Sequence, residues 1–401
     1  MARIVADPRR VLLVLLVAGL AASITLSQTM LVVLTLWLLR EWHRGRLALT
    51  WPLAVPIAAF AGWTIFTALL SEAPAESLRA SHSLIGLGTL WVVLHAVEDG
   101  RRARWFATAL FVAMVAVAAL SVVQVATCSP ERLTAKAVGL PRVLSSFFGK
   151  CHRAHGFYSI YMTLGGVLAM VLVLTLPRLM HFRHRAAAAG AWLVAALAFA
   201  LTLVRGAWVG FGIGLAVLVC TVRRQTVAFV GVLLVAAAVL SVPAVLQRVL
   251  SFMDPTDPTA RERVAMLSAG VALLREHPIV GVGPGQVKRL YPQYAPAYAV
   301  RRHTSHLHNT PLQIAVERGF VGMALWLWIF GAFFVRVLGI WKRLPAAAVH
   351  DRALVAGCAA AIVAFVIASL FEYNFGDTEV LLVAMSLMAL PLVIDRAQDV
   401  R

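Results

Sequence analysis

Long apolar runs separated by short polar stretches dominate the chain. The runs are continuous and rich in Leu, Ala and Val, a pattern that favours helices over alternating strands. Most of them are long enough to cross a hydrocarbon core about 30 Å thick. The pattern predicts twelve membrane-spanning helices, at residues 11–23, 28–39, 51–70, 82–97, 104–126, 157–176, 188–203, 207–222, 226–244, 312–338, 353–371 and 379–394.

The first apolar run, Val11 to Leu39, is too long for a single span. Polar residues at its middle, Ser23, Thr25, Ser27 and Gln28, predict a turn and therefore a helical hairpin. A small-residue patch before this turn also resembles a signal-peptide cleavage site, so a cleaved leader is the alternative.

Two polar loops are much longer than the others, at residues 127–156 and 245–311. They divide the chain into residues 1–244 with nine spans, a large loop at 245–311 that holds the candidate catalytic segments, and residues 312–401 with three spans and a tail. The predicted fold is thus all-α and polytopic, with a long, partly helical loop between spans nine and ten.

Composition agrees with a membrane protein, since 61% of the 401 residues are hydrophobic and only 13% are charged. The net charge of +18 comes mostly from Arg and Lys in alternate short loops, which predicts that both termini are cytoplasmic. Both long loops then face the opposite side of the membrane. Because topology accounts for most of the positive charge, we expect membrane lipid as a partner and no nucleic acid.

Both long loops are themselves basic, although orientation rules say little about long loops. An electropositive vestibule that receives an anionic ligand explains this charge. Contact with anionic lipid headgroups is the alternative. Cys128 and Cys151 share the first loop, and an oxidising exterior would permit a disulfide between them.

Arg205 lies where one predicted span ends and the next begins. A guanidinium beside a helix amino terminus, with its unpaired N–H groups, is suited to bind phosphate. The alternatives are that Arg205 extends to the membrane surface or pairs with an acid such as Glu372 or Asp377.

A second pair of candidate phosphate ligands is Arg261 and Arg263, since guanidinium groups match phosphate oxygens. They begin a predicted amphipathic helix whose apolar face contains Val264, Leu267, Val271 and Leu274. The stretch 281–285, Gly-Val-Gly-Pro-Gly, lacks the residues of a nucleotide loop and predicts a tight turn back to the bundle.

The segment 305–313 predicts a helix start, with Asn309 or Thr310 as the cap and Pro311 in the first turn. His308 would stand at the membrane boundary, where an imidazole is suited to accept a proton from a hydroxyl.

Three further residues can support such a base: Asn309, Gln313 and Glu317 follow one another at four-residue spacing, as a polar stripe on one helical face. His306 is a fourth candidate for a supporting role. Together with His303 and His308 it could also bind a metal, but no carboxylate pattern accompanies them, so we expect no metal site.

A polar site at the membrane surface, on the side without ATP, needs a substrate that is already activated and embedded in lipid. A sugar linked to a polyprenyl diphosphate fits this requirement. Arginines would stabilise the negative charge on the departing lipid diphosphate.

Three stretches together resemble the O-antigen ligase and polymerase superfamily of bacterial envelope glycosyltransferases. They are residues 203–208, residues 263–285 and residues 308–313 with Glu317 and Gly319 to Gly322. The resemblance implies transfer of O-antigen polysaccharide from undecaprenyl diphosphate to a sugar hydroxyl of lipid A–core, at the periplasmic face of the Gram-negative inner membrane.

The resemblance also implies the site. It makes His308 the base, Arg205 with Arg263 or Arg261 the diphosphate ligands, and Arg142 a further donor contact. It implies a metal-independent reaction without a cofactor. Leu267 departs from the aromatic that many relatives carry, which leaves the choice between Arg261 and Arg263 open.

Three other functions remain open. An O-antigen polymerase would use the same donor chemistry, and a relative that glycosylates protein is a more distant possibility. A transporter for an anionic lipid would also have many spans. In a ligase or a polymerase, residues 287–302 would cover the site, with Tyr291, Tyr294 and Tyr298 in contact with the glycan.

Overall fold

The computed structural model describes residues 8–128, 151–221, 243–250 and 257–399. The regular structure in these residues is entirely helical. The described residues form fifteen α-helices: α1 Pro8–Ala22, α2 Ile24–His43, α3 Ala54–Leu70, α4 Pro74–Ala80, α5 Thr89–Ala96, α6 Gly100–Ala126, α7 Tyr161–Thr175, α8 Arg185–Leu201, α9 Arg205–Thr221, α10 Pro243–Leu250, α11 Pro258–Glu276, α12 Val287–Tyr294, α13 Thr310–Arg343, α14 Val349–Ala368 and α15 Thr378–Asp399. Two 3-10 helices, Ser81–Gly88 and Leu176–His181, adjoin α5 and α7.

These helices confirm the predicted all-α, polytopic class. Six segments in the described part of the chain are long and apolar enough to cross a membrane, namely Ile24–His43, Gly100–Ala126, Tyr161–His181, Thr310–Arg343, Val349–Ala368 and Thr378–Ala397. Shorter apolar helices at α3, α8 and α9 accompany them. Helices occupy eleven of the twelve predicted positions, whereas the predicted span 226–244 lies almost wholly outside the described residues.

The first apolar run forms two helices, as the polar residues predict. Ser23 separates α1 from α2 and caps α2, because its Oγ accepts a hydrogen bond from the Leu26 amide at 3.3 Å. Another of these polar residues, Ser27, is buried against α1, where a Cβ at Gly19 would lie 2.5 Å from the Ser27 nitrogen. The glycine therefore permits the tight hairpin.

Helix α14 is at the centre of the bundle, in contact with α7, α9, α13 and α15. It packs closely against α9 because two glycines lie one turn apart on the facing surface of α9. A Cβ at Gly210 would lie 2.5 Å from the Ala364 carbonyl oxygen, and one at Gly214 would lie 2.8 Å from that of Ala360. Small residues at four-residue spacing allow membrane helices to approach in this way.

A smaller core lies beside the bundle, beneath the segment between α11 and α13. Its buried members are Met266, Ala269, Leu273, Val282, Val287, Tyr291, Ala295, Leu307 and Val316. The predicted apolar face of α11 is therefore partly wrong. Val264 and Leu267 are 55% and 50% exposed, because α11 turns a different face, with Met266 and Leu273, toward this core.

Glycines attach this segment to α13. The helix breaks at Gly319, which has a φ of 68° and a ψ of −179°. Three hydrogen bonds join the segment to α13: Val282 N to Val316 O at 2.9 Å, Gly283 N to Glu317 O at 2.9 Å and Phe320 N to Pro278 O at 2.8 Å. The Gly-rich stretch is thus the tight return to the bundle that its composition predicts.

Candidate active site

The site forms at one end of the bundle, where α8 ends, α9 and α13 begin, and the loop between α14 and α15 crosses over. Its centre is His308, whose Nδ1 lies 2.7 Å from Oε2 of Glu372. The other oxygen of Glu372, Oε1, accepts a hydrogen bond from Nη2 of Arg263. One buried carboxylate therefore joins the predicted base to a predicted phosphate ligand.

This arrangement determines which nitrogen of His308 can react. A carboxylate only accepts hydrogen bonds, so Nδ1 carries the hydrogen and donates it to Glu372. The neutral ring then has its lone pair on Nε2. His308 is 19% exposed at its side chain, whereas Glu372 is 6% exposed, so the base is accessible and its partner is not.

Local backbone structure fixes the position of His308. Its φ of 49° lies in the left-handed region, which costs free energy for a residue with a Cβ. Asn309 follows as the helix cap, with Oδ1 accepting from the Leu312 amide at 2.9 Å, and its Nδ2 donates to the Leu370 carbonyl at 2.8 Å. These bonds stabilise the strained His308, which lies two residues before the start of α13.

Thr310 holds the loop that carries Glu372. Its amide donates to the Ser369 carbonyl at 2.7 Å, and its Oγ1 donates to the Glu372 carbonyl at 2.8 Å. Thr310 and Ser369 are both fully buried. The amino terminus of α13 and the loop after α14 therefore keep His308 and Glu372 in register.

The structure shows which of Arg261 and Arg263 lies at the site, a choice that the sequence leaves open. Arg263 is partly buried and paired with Glu372, while Arg261 is exposed on the surface of α11. The residue between them, Glu262, is buried, and its Oε2 accepts from the Arg301 amide at 3.0 Å. Arg263 is thus the member of the pair that lies at the site.

Arg205 lies at the first turn of α9, as the sequence predicts, and its side chain is 11% exposed. Its Nη2 is 3.3 Å from Oδ1 of Asp257, and Nη1 of Arg248 is 3.4 Å from Oδ2 of the same carboxylate. The suggested partners Glu372 and Asp377 are wrong for Arg205. Glu372 pairs with Arg263 and His308, while Asp377 accepts from the Thr163 hydroxyl at 2.6 Å.

Asp257 also links Arg205 to α11. Its Oδ1 accepts from the Ala260 amide at 3.0 Å and so caps the helix that carries Arg263. The distances from Asp257 to its two arginines exceed the roughly 2.7–2.9 Å of a tight charge-assisted hydrogen bond. An anionic ligand could therefore compete for these guanidinium groups.

His306 lies beside the base. Its ring centroid is 4.5 Å from that of His308 and 5.6 Å from that of Tyr373. Burial, with the nearby His308, lowers the pKa of His306 to about 4. The ring is therefore neutral near pH 7 and adds no positive charge next to the base.

Gln313 and Glu317 lie on one face of α13, as their spacing predicts, but they hold the neighbouring segment rather than line an open site. Gln313 Oε1 accepts from the Leu307 amide at 2.8 Å. Glu317 Oε1 accepts from the Gly285 amide at 2.8 Å and from Gln313 Nε2 at 2.7 Å, and its Oε2 accepts from Arg318 Nη1 at 2.6 Å.

The predicted glycan contact by three tyrosines is only partly compatible with the structure. Tyr291 is fully buried in the small core, so the prediction that it contacts a glycan is wrong. Tyr294 donates a hydrogen bond to Glu276, and Tyr298 is 47% exposed.

Arg142 lies outside the described residues. A disulfide joins Cys128 to Cys151, with Cα atoms 5.3 Å apart. It lies at the same end of the bundle as Arg205, because the Ala154 amide donates to the Leu201 carbonyl at 3.0 Å. Among the described residues, no three His, Cys, Asp or Glu side chains form a group that could hold a metal.

The sequence names Glu372 only as a possible partner of Arg205 and gives Asp257 no role, yet both carboxylates lie at the site. The sequence gives only a weak indication of either role. Glu372 is an acid in a short polar stretch between two apolar runs, and Asp257 precedes Pro258 at a helix start. Neither signal names a partner, because the contacts to His308 and Arg205 join positions far apart in the chain.

Comparison with known protein families supports the family resemblance of the sequence. Residues 189–327 match the family model described as O-antigen ligase. This segment belongs to the O-antigen ligase family. No curated protein matches the chain.

The O-antigen ligase segment extends from within α8 into α13 and thus contains Arg205, Arg263 and His308. Glu372 lies beyond it, on the loop between α14 and α15. Together with the apolar helices, this segment indicates a multi-pass bacterial membrane protein.

Proposed function

We propose that the protein is an O-antigen ligase, which transfers O-antigen polysaccharide from undecaprenyl diphosphate to a sugar hydroxyl of lipid A–core. The observation that carries this proposal is the hydrogen bond of 2.7 Å between Glu372 and His308, since His308 lies within the segment that matches the O-antigen ligase family model. An imidazole oriented by a carboxylate is the usual arrangement for removing a proton from a hydroxyl.

In the proposed reaction, Nε2 of His308 accepts the proton of the acceptor hydroxyl. The hydroxyl oxygen then forms a bond to the anomeric carbon of the donor sugar. The bond from that carbon to the diphosphate oxygen breaks, and its electron pair leaves with the lipid diphosphate. Glu372 holds the ring in the required tautomer and stabilises the imidazolium that forms.

Arg205 and Arg263 would bind the diphosphate and stabilise its growing charge. Both lie at the end of the bundle that carries His308, one at the start of α9 and one on α11. A diphosphate would take the place of the carboxylate that each guanidinium now contacts, which is Asp257 for Arg205 and Glu372 for Arg263. The proposed chemistry needs no metal and no cofactor.

We further propose that the site faces the periplasm and that both termini are cytoplasmic, in a Gram-negative inner membrane. The disulfide between Cys128 and Cys151 supports this orientation, since such bonds persist in oxidising compartments. It lies at the end of the bundle that contains the site, while a basic segment, residues 183–185, lies at the opposite end.

The lipopolysaccharide of a deletion strain tests the ligase assignment. A ligase predicts lipid A–core without attached polymer and accumulation of polymer on the lipid carrier. A core that bears one repeat unit would instead assign the protein as the polymerase. Unchanged lipopolysaccharide would contradict both.

A further inference from the structure

A second cluster of positive charge lies at the opposite end of the bundle from His308. It surrounds a cavity of about 180 Å³, lined by Arg104, Thr108, Arg178, His181, Phe182 and His350. The two ends are joined by α14, which begins at Val349 beside the cavity and ends at Ala368 near the active site. A helix of 20 residues is about 30 Å long, so the cavity is separate from the site described above.

Arg178 is the central feature of this cavity. It is only 7% exposed, in the 3-10 helix after α7. Its Nη2 donates to the Arg104 carbonyl and to the Thr108 hydroxyl, both at 2.8 Å. Its Nη1 is buried and has no hydrogen-bond partner among the described residues. A buried guanidinium nitrogen without a partner is costly, so a ligand that accepts a hydrogen bond there would be stabilised.

The carboxylate next to the cavity does not neutralise Arg178. Asp351 forms a salt bridge with Arg104 instead. Arg178 therefore remains a cation without an acidic partner among the six lining residues. Because buried charges are usually paired, this geometry favours an anion in the cavity.

Two histidines and a helix start complete the surroundings. The rings of His181 and His350 meet edge to face, with centroids 4.9 Å apart. His350 is the second residue of α14, whose amino terminus carries N–H groups free of intrahelical partners and a positive dipole end. The cavity volume of about 180 Å³ far exceeds the roughly 15 Å³ that one water needs, so a polyatomic anion can enter.

We infer that this cavity is a second ligand site, which binds a phosphate group. Guanidinium, imidazole and helix-start N–H groups together supply the donors that phosphate oxygens accept. The phosphate could belong to the headgroup of an anionic phospholipid or to inorganic phosphate, because the cavity lies where the apolar helices end. This inference does not depend on the proposed transferase reaction.

The test uses the full-length protein in detergent after removal of bound lipid. One arm measures the melting temperature during titration with inorganic phosphate, at constant ionic strength set with chloride, since a ligand of the folded state raises stability. The other arm counts retained phosphatidylglycerol by native mass spectrometry. The test variant is His350→Glu, which places a negative charge in the cavity at an exposed position. Its matched control is Val349→Glu, which adds the same charge at a neighbouring residue that is 46% exposed and does not line the cavity.

We expect binding by the wild type and the control in at least one arm, and affinity lower by about tenfold in His350→Glu, equivalent to about 1.4 kcal/mol. Binding of phosphate alone would identify the free anion as the ligand, and binding of phosphatidylglycerol alone would identify the headgroup. Arg178→Gln should give the same loss, provided that its melting temperature without ligand shows a folded protein. The inference is overturned if the wild type binds in neither arm. It is also overturned if His350→Glu and Val349→Glu both bind as the wild type does, or if the two variants lose affinity equally.

Discussion

At the level of single residues, Glu372 determines what His308 and Arg263 can do. Each oxygen of this buried carboxylate has a different partner, so the base and the phosphate ligand are held at a fixed separation. A diphosphate that binds Arg263 would loosen the Arg263–Glu372 contact and leave Glu372 to His308. Donor binding would thereby strengthen the base through a shared carboxylate.

The two arginines of α11 offer a direct comparison. Arg263→Lys should lower kcat/KM by at least about tenfold, because lysine lacks the planar donors that reach both carboxylate and phosphate. Arg261→Lys should stay within about twofold, because Arg261 is exposed away from the site. Transfer assays on both purified variants check this. Equal losses in the two variants would remove Arg263 from the donor site.

His306 predicts a pH dependence of stability. Its pKa is about 4 in the folded protein, below the value near 6.5 of an unfolded histidine, because of burial and the neighbouring His308. Between these values the unfolded state binds more protons, so stability rises with pH through this window and is lost as pH falls from about 6.5 to 4. Melting temperatures in detergent should show this loss, and His306→Gln should reduce it. An unchanged slope in the variant would show that His306 does not titrate in this way.

At the level of elements, the site depends on how the segment between α11 and α13 is attached. The break in α13 at Gly319 frees the carbonyl groups of Val316 and Glu317 to accept from Val282 and Gly283. Glu317 adds a hydrogen bond to the Gly285 amide. The start of the segment that carries His308 is therefore anchored to α13.

Gly319→Ala tests this attachment. A Cβ there would overlap the Ile279 carbonyl oxygen, and the positive φ would strain it further. We expect a loss of stability above about 2 kcal/mol, seen as a lower melting temperature, together with reduced transfer.

The control is Gly331→Ala in the same helix, where a Cβ would meet no atom within 4 Å. It should leave stability unchanged or raise it by about 0.5–1 kcal/mol. If Gly319→Ala behaves like this control, the anchoring role of the break is wrong.

At the level of the whole molecule, periodicity and length predicted most of the helices. Polar residues also predicted the turn at Ser23 and a helix cap at Asn309 or Thr310, of which the structure shows Asn309, because such features depend on neighbouring residues. The sequence could not show which of Arg261 and Arg263 lies at the site, nor that Tyr291 is buried and cannot contact a glycan. Both depend on which face α11 and α12 bury, and packing against α13 decides that face. It also could not assign Glu372 to His308, since 64 residues separate them.

Orientation can be tested through the cysteines. If the site faces the periplasm, Cys128 and Cys151 should resist a membrane-impermeant thiol reagent in intact spheroplasts until a reductant is added, because they form a disulfide. Labelling after reduction would then place this end outside. A Cys128→Ser/Cys151→Ser protein supplies the background from Cys220 and Cys358, which are free. Absence of labelling above that background would contradict the proposed orientation.

The most direct measurement is transfer by the purified protein in detergent, with a glycan linked to undecaprenyl diphosphate, a lipid A–core acceptor and a metal chelator. If His308 is the base and Glu372 orients it, the wild type forms product, His308→Ala forms none despite measurable donor binding, and Glu372→Gln is slower by at least about a hundredfold. Product formation by His308→Ala at the wild-type rate would contradict the proposed mechanism, as would movement of the lipid-linked glycan across sealed vesicles without any transfer.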